Sequence, residues 1–266
     1  MSTSSGHYSL ANCRILVTRA EAQAESTKSA IESRGGTPVL FPVIKVAQRM
    51  LKEDTIGSFL PLSAYEWVVF SSANSVDGFA GNFLDSWKAL PPESRPQIAV
   101  VGTRTAKAAS LAGLPVDFQP PRATGYALGT TLPLKGNGPV LFPCGNQARP
   151  EIPDLLTQRG PELHSLTVYD TTIIEHDPET VQNALAEPLN AILLTSPSTV
   201  DGLLTNCRKA GVSLPASATL ACIGETTASR LEHWNHSAHL TPDRKGLEPL
   251  LDALAANWNS VSQLNS

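Results

Sequence analysis

Open parallel β-sheets covered by helices on both faces are the architecture this 266-residue sequence predicts, shared between two domains of ordinary size. Three observations carry that expectation: short apolar runs that do not alternate, helical apolar stripes between them, and a stretch that is spelled twice. FSSANSVDG (70–78) and LTSPSTVDG (194–202) share Ser72/Ser196, Val76/Val200, Asp77/Asp201 and Gly78/Gly202, each pair 124 positions apart.

The apolar runs are ILV at 15–17, VLF at 39–41, WVVF at 67–70, IAVV at 98–101, VLF at 140–142, ILL at 192–194 and LACI at 220–223. Runs this short and continuous suit parallel strands buried on both faces. Between them, Val76, Phe79, Ala80 and Phe83 fall at i, i+3, i+4 and i+7, and Val200, Leu203, Leu204 and Cys207 repeat that spacing. Ile152, Leu155 and Leu156 make a shorter stripe.

The echo extends to other segments. VVGTRTAKAASL (100–111) reappears as CIGETTASRL (222–231), setting Gly102 against Gly224 and Thr105 against Thr227. ILVTRAEAQAE (15–25) is matched more weakly by VLFPCGNQARP (140–150), and the helices that follow end in Arg34-Gly35 and Arg159-Gly160. Three kinds of strand–helix unit thus occur in the order A, B, C, A′, B′, C′. The domain boundary falls either in the Pro- and Gly-rich stretch 119–139, or in a crossed arrangement that joins A with B′C′ and BC with A′. Periodicity leaves both open.

Composition narrows the function. A net charge of −4 and the absence of a basic stripe exclude a nucleic-acid footprint, so any anionic ligand is held by a few cations or by backbone N–H groups. MSTSSGHYSL is not a secretory signal and no run reaches membrane-spanning length, which points to the cytoplasm. Cys13, Cys144, Cys207 and Cys222 lie far apart with no C-x-x-C pair and read as buried small apolar residues.

Each B and C unit runs from an apolar strand through Ser, Thr or Gly into a helix. Such a turn aims unpaired N–H groups and the positive end of a helix dipole at one edge of the sheet, where an anion can sit. Ser72 and Ser196 either cap their helices or meet a ligand there. Gly102 and Gly224 read as tight turns or as points of close approach, and Thr105 and Thr227 as first-turn hydroxyls. No glycine-rich phosphate loop, G-x-S-x-G or H-E-x-x-H is present. His233, His236 and His239 recur every third residue, but EHWNHSAH offers little of the third ligand and carboxylate second shell that a metal site usually has, and an exposed helix end with a loop is the expected setting.

In order and spacing these segments resemble the uroporphyrinogen-III synthase family. The resemblance is carried by ILVTRAEAQ, FSSANSVDGF, VVGTRTAKAA, the G-x-x-x-R of CGNQAR (Gly145 and Arg149), LTVYDT with Tyr169, LLTSPSTVDGLL and CIGETTASRL, from about residue 14 to 248. It implies two flavodoxin-like three-layer α/β domains with parallel sheets: a discontinuous one from 1–41 and 173–266, and an inserted one from 48–166. A two-stranded ladder from 42–47 and 167–172 would join them as a hinge.

The resemblance also implies cyclising dehydration of hydroxymethylbilane, with inversion of ring D through a spiro intermediate, to uroporphyrinogen III. No cofactor and no metal is implied, nor any nucleic-acid or membrane partner. A monomer that receives its substrate from hydroxymethylbilane synthase is the expected state. Tyr169 is then expected to donate a hydrogen bond or proton to the departing hydroxyl, with Thr105 and Thr227 positioning the substrate. Ser71, Ser72, Thr195, Ser196, Gly102 and Gly224 match substrate-contacting turns. Arg19 and Arg149 are candidates for carboxylate binding, against the alternative of solvated surface arginines. The duplicated corners would then be the two walls of a cleft for an octacarboxylate. The alternative function is a noncatalytic tetrapyrrole-binding sensor or scaffold of the same fold; a sugar-nucleotide transferase would want a phosphate loop or acidic metal motif that is not visible.

Overall fold

In the computed structural model residues 9–136, 138–186 and 188–264 are described, the last four by backbone alone. In chain order the strands are β1 (Arg14–Val17), β2 (Thr37–Leu40), β3 (Ile44–Gln48), β4 (Trp67–Phe70), β5 (Gln97–Val100), β6 (Val140–Gly145), β7 (Leu163–Ile173), β8 (Ala191–Leu194) and β9 (Thr219–Cys222). The helices are α1 (Glu21–Glu32), α2 (Glu53–Ser58), α3 (Ala73–Ala89), α4 (Thr103–Leu111), α5 (Gly125–Thr131), α6 (Glu151–Thr157), α7 (Pro178–Ala184), α8 (Pro197–Ala210), α9 (Glu225–Glu232) and α10 (Leu247–Leu264). They form two compact units: Val46–Thr171, and the described residues up to Lys45 together with those from Thr172 onward.

Alternation along each strand sorts its side chains to two faces, so a strand buried throughout must be covered twice. In the Val46–Thr171 unit, Val68, Phe70, Ile98, Val100 and Leu141 meet Val76, Phe79, Phe83 and Trp87 of α3. The intervening Trp67, Val69, Ala99, Val140 and Phe142 form a second cluster with Leu128 and Leu132 and with Ile152 and Leu156 of α6. In the other unit, Ile15, Val17, Ala191, Leu193 and Ala221 pack against Ile31 of α1 and Leu250, Leu251 and Leu254 of α10. Burying a side chain of this size stabilises by about 1.5–3 kcal/mol, so each unit has its own core.

The sheets adopt the crossed arrangement. One has the order β2-β1-β8-β9 and the other β3-β7-β6-β4-β5, which places A with B′ and C′, and A′ with B and C. The parallel parts superimpose in order, β2-β1-β8-β9 matching β7-β6-β4-β5. Each sheet therefore reverses strand order at one place, between β1 and β8 or between β6 and β4, where α/β folds bind ligands outside the carboxyl ends of the strands.

The ladder is continuous with the second sheet. β7 runs parallel to β6 from Leu163 to Tyr169, and it also pairs with β3. Arg49 N–H donates to the Val168 carbonyl (2.8 Å) and Ile174 N–H to that of Val43 (2.9 Å), an antiparallel pattern.

Candidate active site

The site residues stand where the central strands end and their helices begin. Ser72 is the N-cap of α3: its Oγ accepts the Ser75 N–H, and Ser75 Oγ in turn accepts the Ser72 N–H. Ser196 caps α8 in the same way with Thr199. Each cap contributes about 1 kcal/mol and leaves the remaining first-turn N–H groups at the carboxyl edge of the sheet. Ser71 and Thr195, one residue earlier, are half-buried, and Thr195 N–H donates to Thr199 Oγ1 (3.1 Å).

The glycines of the echoed motif serve packing. A side-chain carbon at Gly78 would lie 2.6 Å from the Val168 carbonyl oxygen, and one at Gly202 would lie 2.7 Å from that of Val43. Both glycines let a helix dock directly on backbone. One turn on, Asn82 donates to the carbonyls of Gly78 (2.7 Å) and Arg49 (2.8 Å) and accepts Leu51 N–H (2.8 Å). Asn206 donates to Gly202 (2.8 Å) and Ile174 (2.9 Å) and accepts His176 N–H (2.8 Å). These asparagines clamp the segments that follow β3 and β7. The sequence reading missed them, although V-D-G-x-x-x-N recurs at 76–82 and 200–206. The shared aspartate also serves packing. Asp201 Oδ1 accepts Arg230 Nε–H (2.7 Å) and Trp234 Nε1–H (2.9 Å). Burial pushes the Asp77 carboxyl up, with Arg104 opposing.

At the second corner of each sheet, Gly102 and Gly224 have extended backbones (φ −164° and 173°). The expected tight turn is thus corrected, since any residue adopts that conformation. Close approach explains Gly102 instead, where a side-chain carbon would come within 3.0 Å of Ala123 Cβ; at Gly224 the nearest atom, Lys245 Cγ, is 3.7 Å away. Thr105 and Thr227 are buried in the first turns of α4 and α9.

The two arginines differ. Arg149 is exposed in the turn after β6. Arg19 is buried rather than solvated: its guanidinium donates to Thr27 Oγ1 (3.1 Å) and Gln23 Oε1 (2.8 Å) on α1. Its spacing to those residues, on the next turns of a helix it precedes, draws it inward. Of the three spaced histidines, His239 Nδ1 accepts Leu220 N–H (2.9 Å), just as Asp117 Oδ2 accepts Ile98 N–H (2.8 Å) in the other unit.

Tyr169 and Ser72 come together. The phenol oxygen lies 3.3 Å from Ser72 Oγ, at the carboxyl end of β6 and beside the start of α3. Burial raises the phenol above its ordinary value, the Ser72 hydrogen bond opposes this, and Cys144 adds a smaller upward push. The Cys144 thiol is itself pushed up by burial. The result is a neutral, half-buried acid beside the capped start of a helix.

Two units whose parallel strands follow the same order, each with capped helix starts at its carboxyl edge and one with a phenol held there, define a duplicated doubly wound α/β protein. The family model described as uroporphyrinogen-III synthase HemD matches residues 25–252, and the chain belongs to that family. It is 29% identical over 259 residues to the chloroplastic uroporphyrinogen-III synthase of Oryza sativa subsp. japonica, covering 92% of this chain and 82% of that protein. To the uroporphyrinogen-III synthase of Chlorobaculum parvum it is 28% identical, covering 86% and 92%. The fold matches a crystal structure of a mutant uroporphyrinogen III synthase from Thermus thermophilus with a TM-score of 0.64 at 21% identity, covering 93% of this chain and 99% of that one.

Proposed function

We propose that the protein converts hydroxymethylbilane to uroporphyrinogen III, with Tyr169 as the proton donor. The observation that supports this role is the place of the phenol, half-buried and bonded to Ser72 at the carboxyl edge of the sheet, where burial shifts it further toward its acid form. Ser72 Oγ accepts the Ser75 N–H, and in this role it turns its own hydrogen to the phenol oxygen. The phenol proton then points to the substrate, and the developing phenolate is met by a donor.

The C–O bond of the hydroxymethyl group on ring A breaks as its oxygen takes the Tyr169 proton, and water leaves. The pyrrole nitrogen supplies the electron pair, giving an azafulvenium cation. The substituted carbon of ring D attacks that cation to form the spiro intermediate. Cleavage of the bond from ring D to its original methylene, and reclosure at the other carbon, invert the ring. The proton lost on rearomatisation balances the one Tyr169 gave.

Unassisted closure gives the type I isomer, so holding the chain in the spiro-forming shape is the main task. The carboxylates are assigned to the helix starts at Ser71–Ser72 and Thr195–Ser196, with Gly102 and Gly224 offering backbone and Arg149 a charge. Thr105 and Thr227 position the substrate at the second corners. Helix N–H groups suit this work in a chain of net charge −4.

We place the reaction in the cytoplasm with the protein as a monomer, fed directly by hydroxymethylbilane synthase because the substrate closes unaided. Four buried, unpaired thiols fit a reducing compartment. Among the described residues no helix is long and apolar enough to cross a membrane. The test supplies fresh hydroxymethylbilane, oxidises the products and separates the isomers. Type III product is expected, and type I alone would overturn the reading.

A further inference from the structure

The end of β6 carries an arrangement that the substrate chemistry above does not use. The register between β6 and β7 shifts between Cys144 and Gly145, so that Cys144 faces Thr167 while Gly145 faces Tyr169. The skipped residue, Val168, is fully buried in the core beneath α3. A side-chain carbon on residue 145 would lie 2.5 Å from Tyr169 Cζ, 2.6 Å from Cε2 and 2.8 Å from the phenol oxygen. Carbon atoms rest at about 3.5–4.0 Å, so the phenol end of the ring occupies the space that any other residue at 145 would fill.

The next residue holds the backbone of the same strand. Asn146 N–H donates to the Tyr169 carbonyl (3.1 Å). Its Oδ1 accepts Thr171 N–H (2.8 Å) and its Nδ2 donates to the Thr171 carbonyl (3.3 Å). Gln147 Nε2 adds a bond to that carbonyl (3.1 Å). Tyr169 is thus fixed through its main chain by one residue and through its ring by the missing side chain of another, with Ser72 at its hydroxyl.

We propose that Gly145 and Asn146 are positioning residues for Tyr169: the glycine makes room for the phenol, and the asparagine sets the strand that carries it. The inference rests on the reading of Tyr169 as proton donor. The Ser72 contact, at 3.3 Å, is near the limit of a hydrogen bond, so a shift of about 1 Å breaks it, and misplacement of that size costs up to about a hundredfold in rate.

The experiment measures turnover of hydroxymethylbilane by Gly145→Ala, Asn146→Ala, Tyr169→Phe and the two double variants Gly145→Ala/Tyr169→Phe and Asn146→Ala/Tyr169→Phe, and records NMR spectra of protein labelled with ¹³C at the tyrosine ring carbons. Gly145→Ala is expected to lower kcat by about tenfold or more, with KM within about twofold of the parent. In the Tyr169→Phe background the same change should lower kcat by less than about twofold, because the group it misplaces is already gone. The resonance that Tyr169→Phe removes should move in Gly145→Ala and titrate at lower pH than in the parent, as the ring loses its buried place.

Parent-like kcat with an unmoved resonance, or equal losses in both backgrounds, would overturn the inference. Should Gly145→Ala fail to fold, Asn146→Ala decides: a loss of about threefold or more in kcat that vanishes in the Tyr169→Phe background is expected, and an unchanged kcat overturns it. Full activity in Tyr169→Phe would instead remove the proton-donor reading, and the resonance alone would then decide whether Gly145 positions the ring.

Discussion

Tyr169 concentrates the chemistry of the site in one titratable group, and its pH behaviour follows from where it lies. A proton donor must be in its acid form, and burial holds the folded phenol above the ordinary tyrosine value of about 10. Activity governed by Tyr169 should therefore persist to about pH 10 and fall along an alkaline limb above that. Tyr169→Phe should slow turnover by about ten- to a hundredfold and lose that limb. A pH series of kcat in the parent and the variant checks both, and a limb below pH 9 would contradict the burial. The sequence singled out this tyrosine only through resemblance. Its geometry was not legible there, because Gly145 and Tyr169 meet through a register shift between neighbouring strands, and no local pattern encodes such a shift. Arg19 shows the converse: a cation at a strand end suggests a ligand, while Gln23 and Thr27, which draw its head group inward, look like ordinary helix-surface residues.

At the scale of elements, the duplicated helices have two ends with separate duties. Ser72 and Ser196 serve the carboxyl edge, while Gly78–Asn82 and Gly202–Asn206 seat the helix on the backbone beside it. Gly202→Ala must push α8 away from the Val43 carbonyl, which cannot yield as a flexible side chain would; the expected loss is about 1–3 kcal/mol. Asn206→Ala leaves the Ile174 carbonyl and His176 N–H without their partner at a buried position, for an expected loss of about 2–4 kcal/mol. Asn82→Ala should cost less, since Asn82 is half-buried and its bond to Arg49 is exposed. Urea denaturation of the three variants tests this order, and an Asn82 cost equal to that of Asn206 would break it. The central strands were legible because burial on both faces leaves an unbroken apolar run. The ladder strands came only through the resemblance: β7 is buried only in part, so its own apolar pattern does not mark it as a strand. The clamp was visible as a repeated asparagine, yet its meaning depends on carbonyls more than thirty residues distant.

For the whole molecule, the crossed arrangement makes a prediction about folding. Val46–Thr171 is one unbroken segment with a core on each face of its sheet, whereas the other unit needs β1 and β2 from one part of the chain and β8 and β9 from another. Loop closure over the intervening residues costs entropy that the segment itself does not pay. A fragment of residues 43–174, which retains β3 and all of β7, should therefore fold alone. Trp67 and Trp87 lie buried in it, one on each face of the sheet, so their fluorescence reports both layers. Tryptophan emission and far-UV circular dichroism of this fragment should be lost together in a single urea transition, the mark of a two-state domain. If the two probes separate, or the fragment binds hydrophobic dye without urea, its two cores depend on the rest of the chain. The complementary fusion, with 46–171 replaced by a short flexible linker, keeps Val43 and Ile174 against α8 and should also fold, giving a single cooperative urea transition, because it retains all four strands of that sheet.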